Sequence, residues 1–246
     1  MTREERSIAL LKICEPTNGY HLAFSGGKDS QVLYHLCKNA NIKFTAYFCR
    51  TSVDPPEIIS FIKENYKDVI ILNPKFTMYQ LILRNKLLPT KLMKFCCRYL
   101  KEYAGEGELV LTGIRSAESV KRSLRPEIEL DHEKLKVFLH PIKKWSDAQI
   151  WKYLKIHKIK VNELYSQGLN RIGCIGCPCS TRTDIIKSFQ KYPQHRIAYI
   201  NTIKKLMQDG KYSDFEDAED VFEWWISDKS KKLYMQNKNQ MQINLK

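Results

Sequence analysis

Over most of the first 145 residues, short runs rich in β-branched and aromatic residues alternate with amphipathic stretches. The pattern predicts a helix over about 3–13, a strand at Tyr20–Phe24, a helix over about Asp29–Asn39 and a strand at Lys43–Phe48. Proline suits the first turn of a helix, so Pro55-Pro56 opens one over Pro56–Tyr66, followed by a buried strand at Val69–Leu72 and a helix near Met78–Asn85. Leu109–Thr112 and Val137–His140 read as the fourth and fifth strands, and Ser146-Asp147 caps an amphipathic helix over Ala148–His157. Strands interleaved with helices are the α/β signature. After residue 160 the strand pattern stops, leaving a Cys-rich loop (171–180) and helices over about 183–191, 194–208 and 215–227. The last stretch is basic and amide-rich with weak periodicity. The expected division is therefore an α/β domain over 1–160, a cysteine loop with a helical portion over 161–227, and a basic tail over 228–246.

Composition narrows the class. The 246 residues carry 41 Lys+Arg against 27 Asp+Glu, a net charge of +14, with 43% hydrophobic and 28% charged residues. That mixture fits a globular chain and excludes disorder. No apolar run approaches the roughly 18 residues that span a bilayer. The N-terminus MTREERSIALLKIC is charged where a signal peptide needs an apolar core, so a cytoplasmic protein with no membrane contact is expected. The positive excess either serves solubility or concentrates polyanions such as nucleotides, DNA or RNA. Eight cysteines in such a compartment stay reduced. Cys14, Cys37 and Cys49 lie singly in apolar segments and read as core residues, whereas Cys96, Cys97, Cys174, Cys177 and Cys179 are clustered and need a chemical explanation.

The segment YHLAF-SGGKDS-QVLYHL runs a strand through two glycines directly into a helix. Gly26 and Gly27 let a phosphate approach the backbone, the helix N-terminus offers unpaired N–H groups, Lys28 adds a full charge, and Ser25 and Ser30 add hydroxyls. The Walker A spacing is absent, which disfavours a kinase or motor ATPase. SGGKDS instead resembles the PP-loop of the adenine nucleotide α-hydrolase superfamily. That resemblance implies binding of ATP with Mg²⁺, release of pyrophosphate, and a doubly wound, mostly parallel five-stranded sheet with the nucleotide at the carboxyl ends of its strands. Ser25, Gly26, Gly27, Lys28, Asp29 and Ser30 are the expected nucleotide-binding residues. Asp54, after the second strand, is a candidate either for Mg²⁺ or for a helix cap.

The pair Cys96-Cys97 and the later Cys174-x-x-Cys177 can converge on one metal. Adjacent cysteines are awkward for a tetrahedral zinc but workable on a [4Fe–4S] cluster, which is favoured, with zinc as the alternative. A CC pair followed by a distant CxxC resembles the cluster pattern of the phosphoadenosine phosphosulfate (PAPS) reductase family. LTGIRSAESVKR, HPIKKWSDAQIWKYL and TSVDPPEIISFI resemble further blocks of that family, so the likeness covers about residues 20–180. It implies that Cys96, Cys97, Cys174 and Cys177 hold the cluster and that Arg115, Glu118 and Arg122 lie near the nucleotide's anionic groups.

Two departures shape the expected function. The reductases carry a later nucleophilic cysteine, whereas none follows Cys179, and they usually show a degraded phosphate loop, whereas SGGKDS is intact. Both point to the family's iron–sulfur ATP pyrophosphatase relatives, which serve DNA phosphorothioation or tRNA thiolation. The implied activity is adenylation-dependent sulfur transfer to nucleic acid, with Lys28 and Arg115 stabilising the leaving pyrophosphate and Cys179 as a candidate catalytic thiol supplied by a cysteine desulfurase. The alternatives are an APS or PAPS reductase making sulfite with thioredoxin, and a non-enzymatic nucleotide- and cluster-dependent nucleic-acid binding module. Trp145 and Trp151 bracket a capped helix and read as core.

Overall fold

The computed structural model describes residues 1–133, 135–227 and 229–243; of the expected basic tail, Asp228 and residues 244–246 lie outside this range. The described residues form two compact units, each assembled from separate stretches of chain.

The first unit comprises Met1–Arg50, Pro55–Pro74 and Lys101–Ile172. Its strands are β1 (Tyr20–Ala23), β2 (Phe44–Cys49), β3 (Ile70–Leu72), β4 (Leu109–Leu111), β5 (Ile128–Asp131) and β6 (Lys136–Leu139), in the spatial order β3-β2-β1-β4-β6-β5. Every pairing is parallel except β5 with β6, where Ile128 stands opposite Leu139 and Asp131 opposite Lys136. The pattern predicted five strands; β5 is the sixth. It is an edge strand whose apolar residues, Ile128 and Leu130, are exposed, so its four-residue I-E-L-D alternation marks no buried face.

The helices of this unit are α1 (Arg3–Ile13), α2 (Lys28–Ala40), α3 (Pro56–Asn65), α6 (Val120–Ser123) and α7 (Asp147–Ile156). Leu22, Val32, Leu33, Leu36, Ile62, Leu111 and Ile150 anchor one continuous core between helices and sheet. Trp145 belongs to that core, as expected, and gives its indole N–H to Ser7 Oγ at 3.0 Å, while Trp151 is partly exposed. Gln31, fully buried, donates from Nε2 to Tyr66 Oη and to the Lys160 carbonyl, both at 2.7 Å, fixing α2 in rotation. β1 has β2 on one side and β4 on the other, so the order of the sheet reverses there. In an open parallel sheet a crevice forms at the carboxyl ends of the strands at that reversal, and α2 begins at that end of β1.

The second unit comprises Thr51–Asp54, Lys75–Leu100 and Gly173–Lys246. It contains α4 (Met78–Asn85), α5 (Phe95–Leu100), α8 (Arg182–Lys191), α9 (Pro193–Gln208), α10 (Ala218–Ile226) and α11 (Lys231–Ile243). Helix α11 covers much of the stretch whose weak periodicity predicted only a basic tail. The core of this unit gathers Leu81, Ile82, Tyr199, Ile203, Val221 and Phe222. No helix among the described residues is long and apolar enough to cross a membrane.

Candidate functional site

The phosphate loop is built as a strand–turn–helix passage. β1 ends at Ala23 and α2 starts at Lys28 with Gly27 as N-cap, which has no side chain to bond the first turn. Gly26 has φ +72°, and a Cβ there would sit 3.2 Å from both Ile58 Cγ2 and Ile62 Cδ1 on α3. Backbone hand and packing therefore both require glycine at this corner. The serines brace the turn: Ser25 N–H donates to Ser30 Oγ at 3.2 Å, and Ser30 Oγ donates to the Gly27 carbonyl at 2.9 Å. The first turn of α2 is left with its N–H groups directed at the sheet edge, the arrangement that binds anions.

One of those groups is already engaged. Lys28 N–H donates to Tyr165 Oη at 2.8 Å. Burial above all holds the Tyr165 hydroxyl well above its ordinary value, so it is a neutral phenol. A phosphate oxygen taking Lys28 N–H must displace this phenol. Tyr165→Phe is therefore expected to bind ATP about three- to tenfold more tightly, the net worth of one hydrogen bond, measured by calorimetric titration with unchanged stoichiometry.

The charges converge in a quartet. Lys28, only 7% exposed, places Nζ 3.3 Å from Asp29 Oδ2 and 3.5 Å from Asp147 Oδ1. Arg115, 1% exposed, donates from Nε to Asp29 Oδ1 at 2.6 Å, from Nη2 to Asp147 Oδ1 at 2.8 Å and from Nη1 to the Trp145 carbonyl at 3.3 Å. Burial disfavours the charge on Asp147, but Arg115 and Lys28 outweigh it and hold this carboxyl below the usual carboxylate range. Burial works against Arg115 as well, and its carboxylate partners, Asp29 first, raise it in net. Glu118 accepts from the Arg115 backbone N–H at 2.9 Å and pairs with Arg122, four residues on, in α6. The expected nucleotide residues thus form one connected chain, Lys28–Asp29–Arg115–Glu118–Arg122. Arg115 and Arg122 are occupied by carboxylates, while Lys28 holds its two at longer range. Asp147 and Tyr165 join the site without any warning from sequence motifs. Asp54 belongs to the second unit and turns inward on its own loop, accepting from Thr51 N–H at 2.6 Å and Thr51 Oγ1 at 2.8 Å; Pro55 holds the N-cap position of α3.

The clustered cysteines all lie in the second unit, and none of the chain's eight is in a disulfide. Cys96 and Cys97 are on α5; Cys174, Cys177 and Cys179 are on the loop before α8. That loop is fixed by Ile175 N–H donating to the Val53 carbonyl at 2.8 Å and by a tight turn in which Cys177 N–H donates to the Cys174 carbonyl at 3.2 Å. At Gly176, φ +69°, a Cβ would stand 2.5 Å from Phe189 Cζ, so only glycine lets the turn rest on that ring. Cys174 Sγ donates to Thr51 Oγ1 at 3.4 Å. The hydrogen bond with Cys97, burial, and the nearby thiols of Cys97, Cys174 and Cys177 push the Cys96 thiol far up. Three further thiols are therefore within electrostatic reach of Cys96. Among the described residues no three His, Cys, Asp or Glu side chains stand at the spacing of a formed metal site. By its chemistry, a donor set of four cysteine sulfurs, two on α5 and two on the loop before α8, suits a thiolate-bound group.

An uncharacterized protein of Methanocaldococcus jannaschii is 27% identical over 224 residues, covering 84% of this chain and 54% of that protein. The adenosine 5'-phosphosulfate reductase of Allochromatium vinosum is 26% identical over 194 residues, 72% of this chain and 75% of that enzyme. The chain spans about half the length of the Methanocaldococcus relatives it matches. Phosphoadenylyl-sulfate reductase from Candida auris, solved as a phosphate complex, superimposes with a TM-score of 0.51 at 20% identity over 71% of this chain and 88% of that one. FMN adenylyltransferase from Candida glabrata, solved with FMN and an ATP analogue, gives 0.52 at 18% identity over 70% and 63%. Both structures show the shared α/β fold. The model of the phosphoadenosine phosphosulfate reductase domain matches residues 19–180, most of the 246, and the chain belongs to that family.

Proposed function

We propose that this chain binds ATP–Mg²⁺ at Ser25–Ser30, releases pyrophosphate and so activates an acceptor for sulfur transfer, with nucleic acid as the acceptor class. The observation that carries the reading is the intact loop: a helix N-terminus behind Gly26 whose N-cap is the side-chain-less Gly27, with the Lys28 ammonium at its first position facing carboxylates at 3.3 and 3.5 Å. Arg115 keeps both carboxylates when Lys28 turns to phosphate, which leaves the lysine charge available without exposing two unpaired acids. An acceptor oxygen attacks the α-phosphorus, the bond to the bridging oxygen breaks, and pyrophosphate departs with the electron pair, its charge taken up by Lys28, Mg²⁺ and the helix N–H groups. A sulfur nucleophile then displaces AMP. Cys179, on the cysteine loop, is the candidate thiol that carries this sulfur as a persulfide from a cysteine desulfurase; after AMP leaves, a dithiol reductant cleaves the S–S bond that joins product to Cys179, and the net charge of +14 suits a polyanionic acceptor.

Cys96, Cys97, Cys174 and Cys177 are the residues to hold a [4Fe–4S] cluster, with zinc as the alternative. Such a cluster supplies, when bound, a sulfur-rich redox-capable centre. The relatives named adenosine 5'-phosphosulfate reductases favour a second reading, reduction of APS or PAPS to sulfite with thioredoxin. One experiment separates the two. Anaerobically prepared chain is incubated in parallel with ATP–Mg²⁺ plus transfer RNA or duplex DNA, and with APS or PAPS plus thioredoxin. Pyrophosphate without sulfite is the expected result; sulfite without pyrophosphate overturns it.

A further inference from the structure

Tyr199, on α9, is fully buried, 0% exposed. Its ring is used by the core: it meets Tyr79 edge-on at 5.3 Å and Phe189 at 5.6 Å, and tilts against Trp225 at 4.9 Å. Its hydroxyl is not used, having no hydrogen-bond partner among the described residues. The neighbouring Tyr79 hydroxyl is engaged with His195 Nδ1 at 2.7 Å. A phenylalanine would fill the same ring space without burying an unpaired O–H, so the packing alone gives no reason for a tyrosine here.

The surroundings of that hydroxyl supply one. Tyr199 shares its core with Cys96, and Cys97 and Cys174 pack against the same cluster of residues. After burial and Tyr79, the groups that act on its hydroxyl electrostatically are the sulfurs of Cys174, Cys96 and Cys177. Three of the four proposed ligands thus lie within electrostatic range of a buried O–H that, among the described residues, lacks an acceptor. A neutral thiol is a weak acceptor, whereas a metal-bound thiolate or sulfide is a strong one.

We infer that Tyr199 donates its hydroxyl hydrogen bond to a sulfur of the group bound by Cys96, Cys97, Cys174 and Cys177, as a positioning residue rather than a ligand. This rests on the reading of the four cysteines as an iron–sulfur site. In the metal-free chain the hydroxyl is a liability; in the loaded chain it is a partner. Removing the oxygen alone therefore has opposite effects in the two states, which a purely structural tyrosine does not produce.

The test uses the full chain as wild type, Tyr199→Phe and Cys174→Ser, each loaded anaerobically with ferric iron, sulfide and dithiothreitol. Iron and sulfide content, visible absorbance and the rate of iron release to a chelator are measured, together with thermal unfolding before loading. Tyr199→Phe is expected to unfold at a higher temperature than wild type when metal-free. Once loaded, it should hold the same iron content yet release it about tenfold faster, the scale on which outer partners tune metal sites; Cys174→Ser should not hold it. If loaded wild type and Tyr199→Phe share one release rate and one spectrum, the role of Tyr199 is overturned while the cluster reading stands. A lower unfolding temperature for metal-free Tyr199→Phe also overturns it, because the hydroxyl then already has a partner. If wild type takes up no iron and sulfide, the cluster reading fails and this inference with it.

Discussion

Lys28→Ala is expected to lower pyrophosphate release from ATP by roughly a thousandfold, the scale on which a single preorganised charge at a transferring phosphoryl group acts. The lysine sits at the first position of α2, where its ammonium and the N–H groups of the first turn address the same phosphates. Truncation removes a full positive charge and leaves Asp29 and Asp147 shared only by Arg115, so the quartet turns net negative where a polyphosphate must bind. Affinity for ATP falls along with turnover, because ground state and transition state both carry phosphate charge here. The fold should survive: the long-range side-chain hydrogen bonds that position α2 come from Asp29 with Arg115, Gln31, Tyr34, Lys38 and Asn39, and none involves the Lys28 side chain. Circular dichroism and thermal unfolding of the variant check that point, and parallel pyrophosphate assays read the effect. Turnover within threefold of wild type would remove Lys28 from the chemistry and with it the phosphate-loop reading.

The elements that position this loop were legible because each leaves a local signature. β1 and β4 are short, largely buried runs, β2 is an apolar run buried at Ala46 and Phe48, and α2 follows a serine–glycine–glycine corner that its backbone geometry requires. β5 was not legible, since Ile128 and Leu130 lie on an exposed edge and their alternation carries no burial. Asp147 shows a different limit. Its neighbour Ser146 caps α7 as expected, accepting from Gln149 N–H, and Asp147 looks like an ordinary acidic first-turn residue that favours the helix dipole. That its carboxylate also meets Arg115 and Lys28 depends on the pairing of β4 with β1 and β6, which brings segments from three parts of the chain to one edge. Tyr165 and Tyr199 are two of thirteen tyrosines; what singles them out is one long-range hydrogen bond made and one not made, and neither has a sequence spacing. The cysteines lie between these cases: their clustering was plain in the sequence, while the gathering of Cys96, Cys97, Cys174 and Cys177 depends on the α5 helix and on Gly176 resting against Phe189.

Arg115→Met should destabilise the chain by about 3–5 kcal/mol at neutral pH, because it strips the partner from two carboxylates at a buried guanidinium while keeping most of the side chain's bulk. That is a large share of the roughly 5–15 kcal/mol that holds a typical domain folded. The loss is electrostatic, which gives it a pH signature. Against the opposing effect of burial, Arg115 and Lys28 hold Asp147 below the usual carboxylate range, so its contribution is fully present above its unfolded-state value and disappears as the pH falls through its folded value. Asp147 is largely exposed, and solvent screens its share; Asp29, more enclosed and bonded to Nε at 2.6 Å, carries more of the pair. Chemical denaturation of wild type and Arg115→Met should therefore give stability curves that are furthest apart near neutrality and draw together as acid protonates Asp147. Adding Asp29→Asn to Arg115→Met should recover part of the deficit at neutral pH, since the second change removes the charge that the first one left unpaired. A deficit that persists unchanged in acid, with no recovery in the double variant, would mean that Arg115 acts through packing. In that case the carboxylates would not depend on it, and Lys28 could not leave them for phosphate without leaving two unpaired acids behind.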